Sequence, residues 1–566
     1  MQYKQTLLKL LCIFLPSFTF SQTTFLPQGA KEYVLLDRME IKAGTDSVLN
    51  FSKTKPFSRR YMIPQLGRLD SSRLTKVDRY NLYTAMVNNI EWATGSIENF
   101  KSKKPIGKNF YHTPATLLEV NNKDFFLAIN PVFQYTVSKE KDNSEHLFQN
   151  TRGITVRGRI ADKVGFSAYV TDNQERDPSY VQQYMNEHTA VPGNGYYKNF
   201  KAAGGVDYFD ARGYVTFGVT KYIDVVFGYD KNFIGNGYRS LFLSDFSSNY
   251  LFLKLNTRIW KFNYQNIFME LTPSYQRGGD QLLGHKYASI HHLDMAVTKW
   301  LNVGIFEAVV FGRKDHFEFA YLNPVMFIRA SEQQAGSPDN ALAGLDLKAN
   351  VAHRMQFYGQ MLLDEFKLSE IKANKGWWGN KYGYQLGMKY VDAFGIPNLD
   401  IQLETNRVRP FTYSHNDSVA NYTHYNQPLA HPLGANFQEL IALVRFQPIP
   451  KLTVLAKAIY YTQGKDTGNV AFGSNIFAPN QLVPAGTITN YPHRTGEYGY
   501  NIGSGLNTKT ALGSLLLSYE VKPNLFVEVN GTYRSQSVDI SGYSAPNTFI
   551  MSAGIRWNMH RKEFDF

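Results

Sequence analysis

Amphipathic ribbons in this chain come in pairs, joined alternately by very short and very long connections. The stretch "YVTFGVTKYIDVVFGYD" (214–230) sets two apolar ribbons around "TKYI", and the device returns at "LDMAVTKWLNVGIF" (293–306) and "LLSYEVKPNLFVEV" (516–529). Tight connections are expected near 161–163, 220–222, 257–259, 299–301, 352–355, 392–397, 448–451 and 521–524. Long ones are expected near 139–148, 173–205, 232–249, 272–284, 312–341, 364–377, 407–435, 464–506 and 536–544. Eight tight turns interleaved with nine long loops make about eighteen strands whose first and last ends share the short-turn side. That pattern is expected of a bacterial outer-membrane barrel with periplasmic turns and surface loops.

The ribbons themselves have period two. Over 206–220, Phe209, Ala211, Gly213, Val215, Phe217 and Val219 fall on one face, and Tyr208, Asp210, Arg212, Tyr214, Thr216 and Thr220 on the other. One such strand fits a soluble sandwich as well as a lipid-facing barrel; the alternation of loop lengths favours the barrel. Composition agrees: 15% of the 566 residues are aromatic, and 43 glycines accompany 37 tyrosines and 40 phenylalanines, a mixture suited to pleated strands and tight turns. No apolar run approaches the ~20 residues of a spanning helix, which excludes a helical membrane protein. The fold class is therefore all-β, an antiparallel transmembrane β-barrel.

"MQYKQTLLKLLCIFLPSFTFSQ" reads as a signal peptide over residues 1–21, with Thr19 and Ser21 as the small residues before the cut. The single cysteine, Cys12, lies inside it behind Leu11, so the mature chain is expected to carry neither disulfide nor lipid anchor. Losing Lys4 and Lys9 takes the formal charge from +13 to +11. That surplus favours polyanionic neighbours, acidic polysaccharide above all. Nucleic acid is not expected of an exported chain without a basic helix.

Trp260, Trp300 and Tyr222 sit in or beside tight turns, and Trp557 stands near the end of the last strand, positions for an interfacial aromatic girdle. In that strand Phe549, Met551, Ala553, Ile555 and Trp557 are expected to face outer-membrane lipid; Phe566 is out of phase, so the last residues leave the sheet or a bulge intervenes. Residues 22–120 have a different texture. Leu35, Leu36 and Met39 give a helix ending at Gly44, residues 58–70 a short basic helix broken at Pro64, and Leu82, Met86 and Ile90 a third helix capped by Thr75 and Asp78 and stopping at Gly95. This helical module is expected at the periplasmic mouth of a barrel formed by 121–566, as a plug or as a platform for a periplasmic protein partner.

Four runs, "YLNPVMFIRASEQQAGSPDNALAGLDLK" (321–348), "LLDEF" (362–366), "YGYQLGMKYVDAFGIPNLDIQLETNRVRPFTYSH" (382–415) and "HYNQPLAHPLGANFQE" (424–439), together resemble the capsule-assembly Wzi-like barrels. The resemblance is to the Bacteroidetes branch that includes the gliding-motility protein RemB. It implies an eighteen-stranded outer-membrane barrel with a helical bundle at its periplasmic end, engaged in attaching or organising surface polysaccharide, with a link to gliding.

Carboxylates at Asp339, Glu365, Glu404 and Glu439 and histidines at His415, His424 and His431 invite a catalytic or metal reading, but none has diagnostic spacing: HExxH and GxSxG are both absent. No enzyme, cofactor or metal is expected. Aromatic faces stack on pyranose rings while amides and carboxylates fix hydroxyls. On that ground Trp377, Trp378, Tyr382, His424, Tyr425, His431 and Tyr498 are the candidate polysaccharide-binding residues. A porin or sugar channel is the competing function, a barrel enzyme the third. Bulky inward residues such as Asp210, Arg212 and Tyr214, inward-folding long loops and the helical module are expected to obstruct the lumen.

Overall fold

The computed structural model describes residues 23–566 apart from 108, 202–203, 277–279, 281, 315, 326, 485–486, 488, 541–546 and the side chain of Ser71. The expected signal peptide lies outside the described residues. Eighteen strands close into one antiparallel barrel. The first nine are β1 (Phe125–Glu140), β2 (Leu147–Ile160), β3 (Val164–Arg176), β4 (Gly205–Gly218), β5 (Ile223–Asp230), β6 (Tyr250–Ile259), β7 (Phe262–Leu271), β8 (Lys286–Ala296) and β9 (Leu301–Phe311). The others are β10 (Asn340–Val351), β11 (Met355–Glu365), β12 (Lys381–Tyr390), β13 (Leu399–Val408), β14 (Phe437–Ile449), β15 (Leu452–Lys465), β16 (Leu506–Lys522), β17 (Leu525–Val538) and β18 (Thr548–Trp557). Each strand pairs with its sequence neighbours, and β18 closes on β1 through pairs such as Trp557↔Phe133. A short strand, Leu118–Asn121, folds back on the start of β1.

The eight tight turns and nine long loops alternate as expected, and all but one of the turns fall where the sequence places them. The turn expected at 257–259 is displaced to 260–261, because Trp260 takes a left-handed conformation with a φ of 53°. Outward residues follow the expected phase: Phe209, Phe217 and Val219 on β4 and its turn, and Phe549, Met551 and Ile555 on β18, are exposed on the wall. One sector departs from this scheme. On β7–β9 the outward positions include Asn266, Ser289, His291 and Glu307, and the described residues of the 312–339 loop fold over them. Asn266 donates to the Pro324 carbonyl, Ser289 to that of Tyr321, and the amide of Ile328 donates to Glu307 at 3.0 Å. This long loop therefore covers the outside of the barrel. The expectation that long loops turn inward fails here because a polar wall needs partners that lipid does not offer.

The module consists of α1 (Lys31–Ala43), α2 (Arg59–Leu66) and α3 (Lys76–Asn88). Leu35, Leu36 and Met39 of α1, Met62, Ile63 and Leu66 of α2 and Met86 of α3 bury one another. Thr75 and Asp78 form the expected capping box. Two details differ from expectation. α2 runs through Pro64, which costs a single intrahelical bond in a helix whose neighbours Met62, Ile63 and Leu66 are all buried. α3 stops at Asn88, and a 3₁₀ turn, Ile90–Trp92, carries the chain onward before Gly95.

The module sits inside the short-turn end of the barrel and is bonded around its circumference. Arg38 pairs with Asp392 at 2.9 Å and with Asp400, Lys31 with Glu520 at 2.6 Å, Arg157 with Glu91 at 2.9 Å, and Lys348 with Glu40. Lys53, fully buried, lies between Asp294 at 3.2 Å and Asp346, whose other oxygen meets His292 at 2.6 Å. From the opposite end residues 231–249 descend into the lumen, and Phe233 and Ile234 form a two-stranded ladder with Lys55 and Thr54. A third element fills what remains. After Trp557 the chain leaves the sheet and climbs the lumen, so that Asp565 pairs with Arg239 at 3.0 Å and Lys457 at 2.6 Å, and Phe566 packs on Tyr184 of α4 (Ser179–His188) with ring centroids 4.7 Å apart.

Candidate functional site

Over the long-loop end the loops fuse into one cap. Residues 409–436 cross the mouth, and two of their tyrosines reach inward: Tyr413 donates to the Leu241 carbonyl and Tyr422 to that of Phe242, each at 2.8 Å. The cap is thereby hydrogen-bonded to the descending loop, and through it to the module. Asn426 ties the same segment to its neighbours by donating to the carbonyls of His188 and Tyr275.

Three loop segments around the candidates Trp377, Tyr498 and the 409–436 stretch meet in this cap. Residues 375–378 and 497–500 pair through their backbones, Gly499 N to Lys375 O at 3.0 Å, Tyr500 N to Gly376 O at 2.9 Å and Trp378 N to Glu497 O at 3.1 Å. Residues 414–416 join through Asn480, whose amide donates to His415 O at 3.1 Å and whose side chain donates to Ser414 O. Trp378 is a structural post within this junction: its indole donates to Glu497 at 2.6 Å, the Arg494 guanidinium lies 3.7 Å from its ring centroid, and Phe411 meets its edge. Trp377 is the half-buried neighbour beside it, its ring 6.0 Å from the Lys367 ammonium. Lys372, Lys375 and Tyr498 are exposed on the same paired loops. A ring face with exposed cations on the same loop is suited to an acidic sugar, stacking on the pyranose and pairing with its carboxylate.

The other sequence candidates fall elsewhere. Tyr382 belongs to the outer wall of β12, in phase with the exposed Leu386 and under Arg409. His424 is buried, accepting from the Thr272 amide and facing the Asn249 carbonyl; burial pushes its pKa down to about 4, so it is neutral at ordinary pH. His431 is buried against Glu439 at 2.8 Å, beneath the cap. Tyr425 stacks on Tyr275 at 5.0 Å, and Tyr196 meets Tyr275 edge-on, an aromatic group of which the sequence reading named only one member. Arg494 and Glu497, which set Trp378, also escaped it, since a lone Arg and Glu in a long loop carry no periodic signal. Trp260, Trp300 and Tyr222 lie exposed in the short turns, with Trp557 half-buried at the same end.

Of the four candidate carboxylates only Glu404 and Glu439 come together, the Asn406 amide donating to each at 2.9 Å. Asp339 binds Arg313 and the Tyr321 hydroxyl near the outer strap, Glu365 pairs with Lys381 at 3.0 Å, and Glu404 accepts from the amides of Tyr238 and Arg239. Among the described residues no three or more His, Asp or Glu gather as metal ligands.

The family model described as capsule assembly protein Wzi matches residues 85–543. The Escherichia coli outer-membrane protein Wzi, described as involved in group 1 capsule assembly and as a carbohydrate-binding β-barrel, superposes with a TM-score of 0.54 at 12% identity, covering 95% of this chain and 100% of its own. Pseudomonas aeruginosa OprD, at a TM-score of 0.41 and 12% identity, and Acinetobacter baumannii OccAB2, at 0.41 and 11%, each cover 76% of this chain and 94% and 98% of their own. Among curated proteins, none matches this chain.

Proposed function

Given that the chain belongs to the capsule assembly protein Wzi family, we propose that it is an outer-membrane barrel that binds an acidic surface polysaccharide on its loop cap and holds the polymer at the cell. The observation that carries this reading is the fused cap itself, with Trp377 beside Lys367, and with Lys372 and Lys375 exposed on the same loop, above a lumen filled from both ends. Such a surface retains a polymer and does not pass it. The likeness to a carbohydrate-binding barrel supports the same reading. No catalytic role is assigned: His431 and Glu439 pair with each other in the buried interior, and the remaining carboxylates and His424 are held by structural partners. The sequence runs that favour the gliding-associated branch extend the proposal to a polymer that also serves surface motility. The module's short-turn face would then be the docking platform for a periplasmic protein.

Trp377→Ala combined with Tyr498→Ala tests the reading, since both side chains sit on the cap without holding its backbone pairing. At wild-type barrel levels the variant should release most of its surface polymer, and the residual binding should weaken as salt rises because screening acts over about 8 Å near physiological ionic strength. Full retention of polymer by the variant would refute the assignment. Trp378→Ala is the unsuitable choice, because it strips Arg494 and Glu497 of their shared partner and loosens the cap.

A further inference from the structure

Between the module and the wall lies a cavity of about 370 Å³, within the range of roughly 300–1,000 Å³ typical of small-ligand sites. It starts beside the short turns 450–451 and 523–524 and runs up the lumen along β14–β17, with the climbing C-terminal tail as one wall. Three polar contacts cross its mouth: Lys31 to Glu520 at 2.6 Å, Asn81 to Gln447 at 2.9 Å and Asn88 to Asn524 at 3.2 Å.

Its charge is unbalanced. Seven arginines and two lysines line it against four carboxylates. Those carboxylates are already engaged: Glu520 by Lys31, Glu528 by Arg556, Glu32 by the Asn88 amide and Asp230 by the Lys231 backbone amide. Five of the arginines have a carboxylate partner within 4 Å. Arg59 and Arg445 have none among the described residues. Arg59, 5% exposed, donates only to neutral oxygens, those of Asn89 and the Phe25 carbonyl. Arg445 has no hydrogen bond or ion pair at all among the described residues. Its cross-strand neighbour is Asp400, whose Oδ1 is taken by Arg38. A guanidinium enclosed with no carboxylate in bonding contact keeps its donors unspent, which makes it a ready partner for an incoming carboxylate or phosphate. Amides of Asn81, Asn130 and Gln447 and the apolar side chains of Leu455, Leu516 and Phe526 complete the walls, offering hydroxyl partners and ring contact.

We propose that this cavity is a second ligand site, separate from the surface cap, that takes a short anionic saccharide from the short-turn side with its carboxylate or phosphate on Arg445. It does not depend on the cap reading.

Isothermal titration of the full chain in detergent micelles, with trigalacturonate as the carboxylate probe, glucose 1-phosphate as the phosphate probe and maltotriose as the neutral control, tests the assignment. Wild type should show an anion-dependent class of sites that Arg445→Gln weakens at least tenfold, that Arg445→Lys largely restores, and that Trp377→Ala leaves unchanged. Any class lost on Trp377→Ala belongs to the cap, so the two readings stand or fall separately. Dependence on Arg445 for trigalacturonate alone, or for glucose 1-phosphate alone, supports the site and names its anion. Unaltered titration of both anions in a folded Arg445→Gln protein, or equal binding of maltotriose at the Arg445-dependent site, would overturn it.

Discussion

The two sides of the lumen are filled by different physics. Beneath β5–β11 the descending loop packs against inward apolar residues: Phe242 stacks on Phe306 with centroids 4.3 Å apart, and Leu241 and Leu243 bury with Ile267, Ile290, Leu342 and Leu362. Beneath β14–β17, and across to the inward faces of β1–β4, the same barrel keeps an arginine-lined cavity. The first side is a protein core turned outside in, whose wall is backed by lipid except on β7–β9, where the outer strap covers it; the second is held by ion pairs and leaves room. Strength and vacancy are thus segregated. The cap and the module are joined through the dry side, where Phe233 and Ile234 meet Thr54 and Lys55, while the wet side is left for a ligand.

Truncation on each side gives the largest contrast. Phe306→Ala should cost about 3–5 kcal/mol, as for other fully buried aromatics, read as a lower unfolding midpoint of the micellar protein. Phe526→Ala, half-buried on the cavity wall, should cost no more than about 1.5 kcal/mol, half the value of a fully buried side chain. Equal losses would erase the distinction between the two sides.

Acid should act on the ion-paired elements alone. Burial would raise the pKa of Asp78, but the charges of Arg38 and Lys42 outweigh it and hold the group below the ordinary carboxylate range; Arg157 does the same for Glu91. A depressed folded pKa contributes stability that is present above the unfolded value, about 3.9 for Asp and 4.3 for Glu, and is lost as pH falls through the folded one. Proteolytic cleavage within residues 23–110 should therefore rise below about pH 4 while the strands remain intact. Cleavage of module and barrel in step would show that the module has no separate titrating attachment.

The smallest effect is expected at Arg445→Met. Removing an unpaired enclosed charge is neutral or stabilising, so the unfolding midpoint should shift by less than about 1 kcal/mol or rise. A loss of several kcal/mol would mean that the guanidinium is engaged after all.

The barrel was legible because its signals are local. Period-two alternation and the rhythm of turns such as 161–163 require only neighbouring residues, and Thr75 with Asp78 announces its own helix. Where each long loop goes is a tertiary matter. Residues 241–243, "LFL", are too apolar for a solvated loop and hint at the inward path, while "YASIHHLD" (287–294) breaks the lipid face and hints at a strap, yet neither names its partner. The inward apolar residues of β6–β11 further blur the two faces, since Phe252, Ile267 and Phe306 look like lipid-facing residues in sequence. Of the aromatic loop set, the joining of Trp377, Trp378 and Tyr498 follows from backbone pairing between segments more than a hundred residues apart. His424 and His431 looked accessible only because burial by a crossing loop leaves no mark on their own segment.

The central claim is that this barrel holds and does not conduct. Single-molecule current recording of the full-length protein in planar bilayers measures that directly. The filled lumen predicts a silent membrane, with at most brief, irregular openings at high voltage; a steady, porin-sized conductance from the intact protein would contradict it.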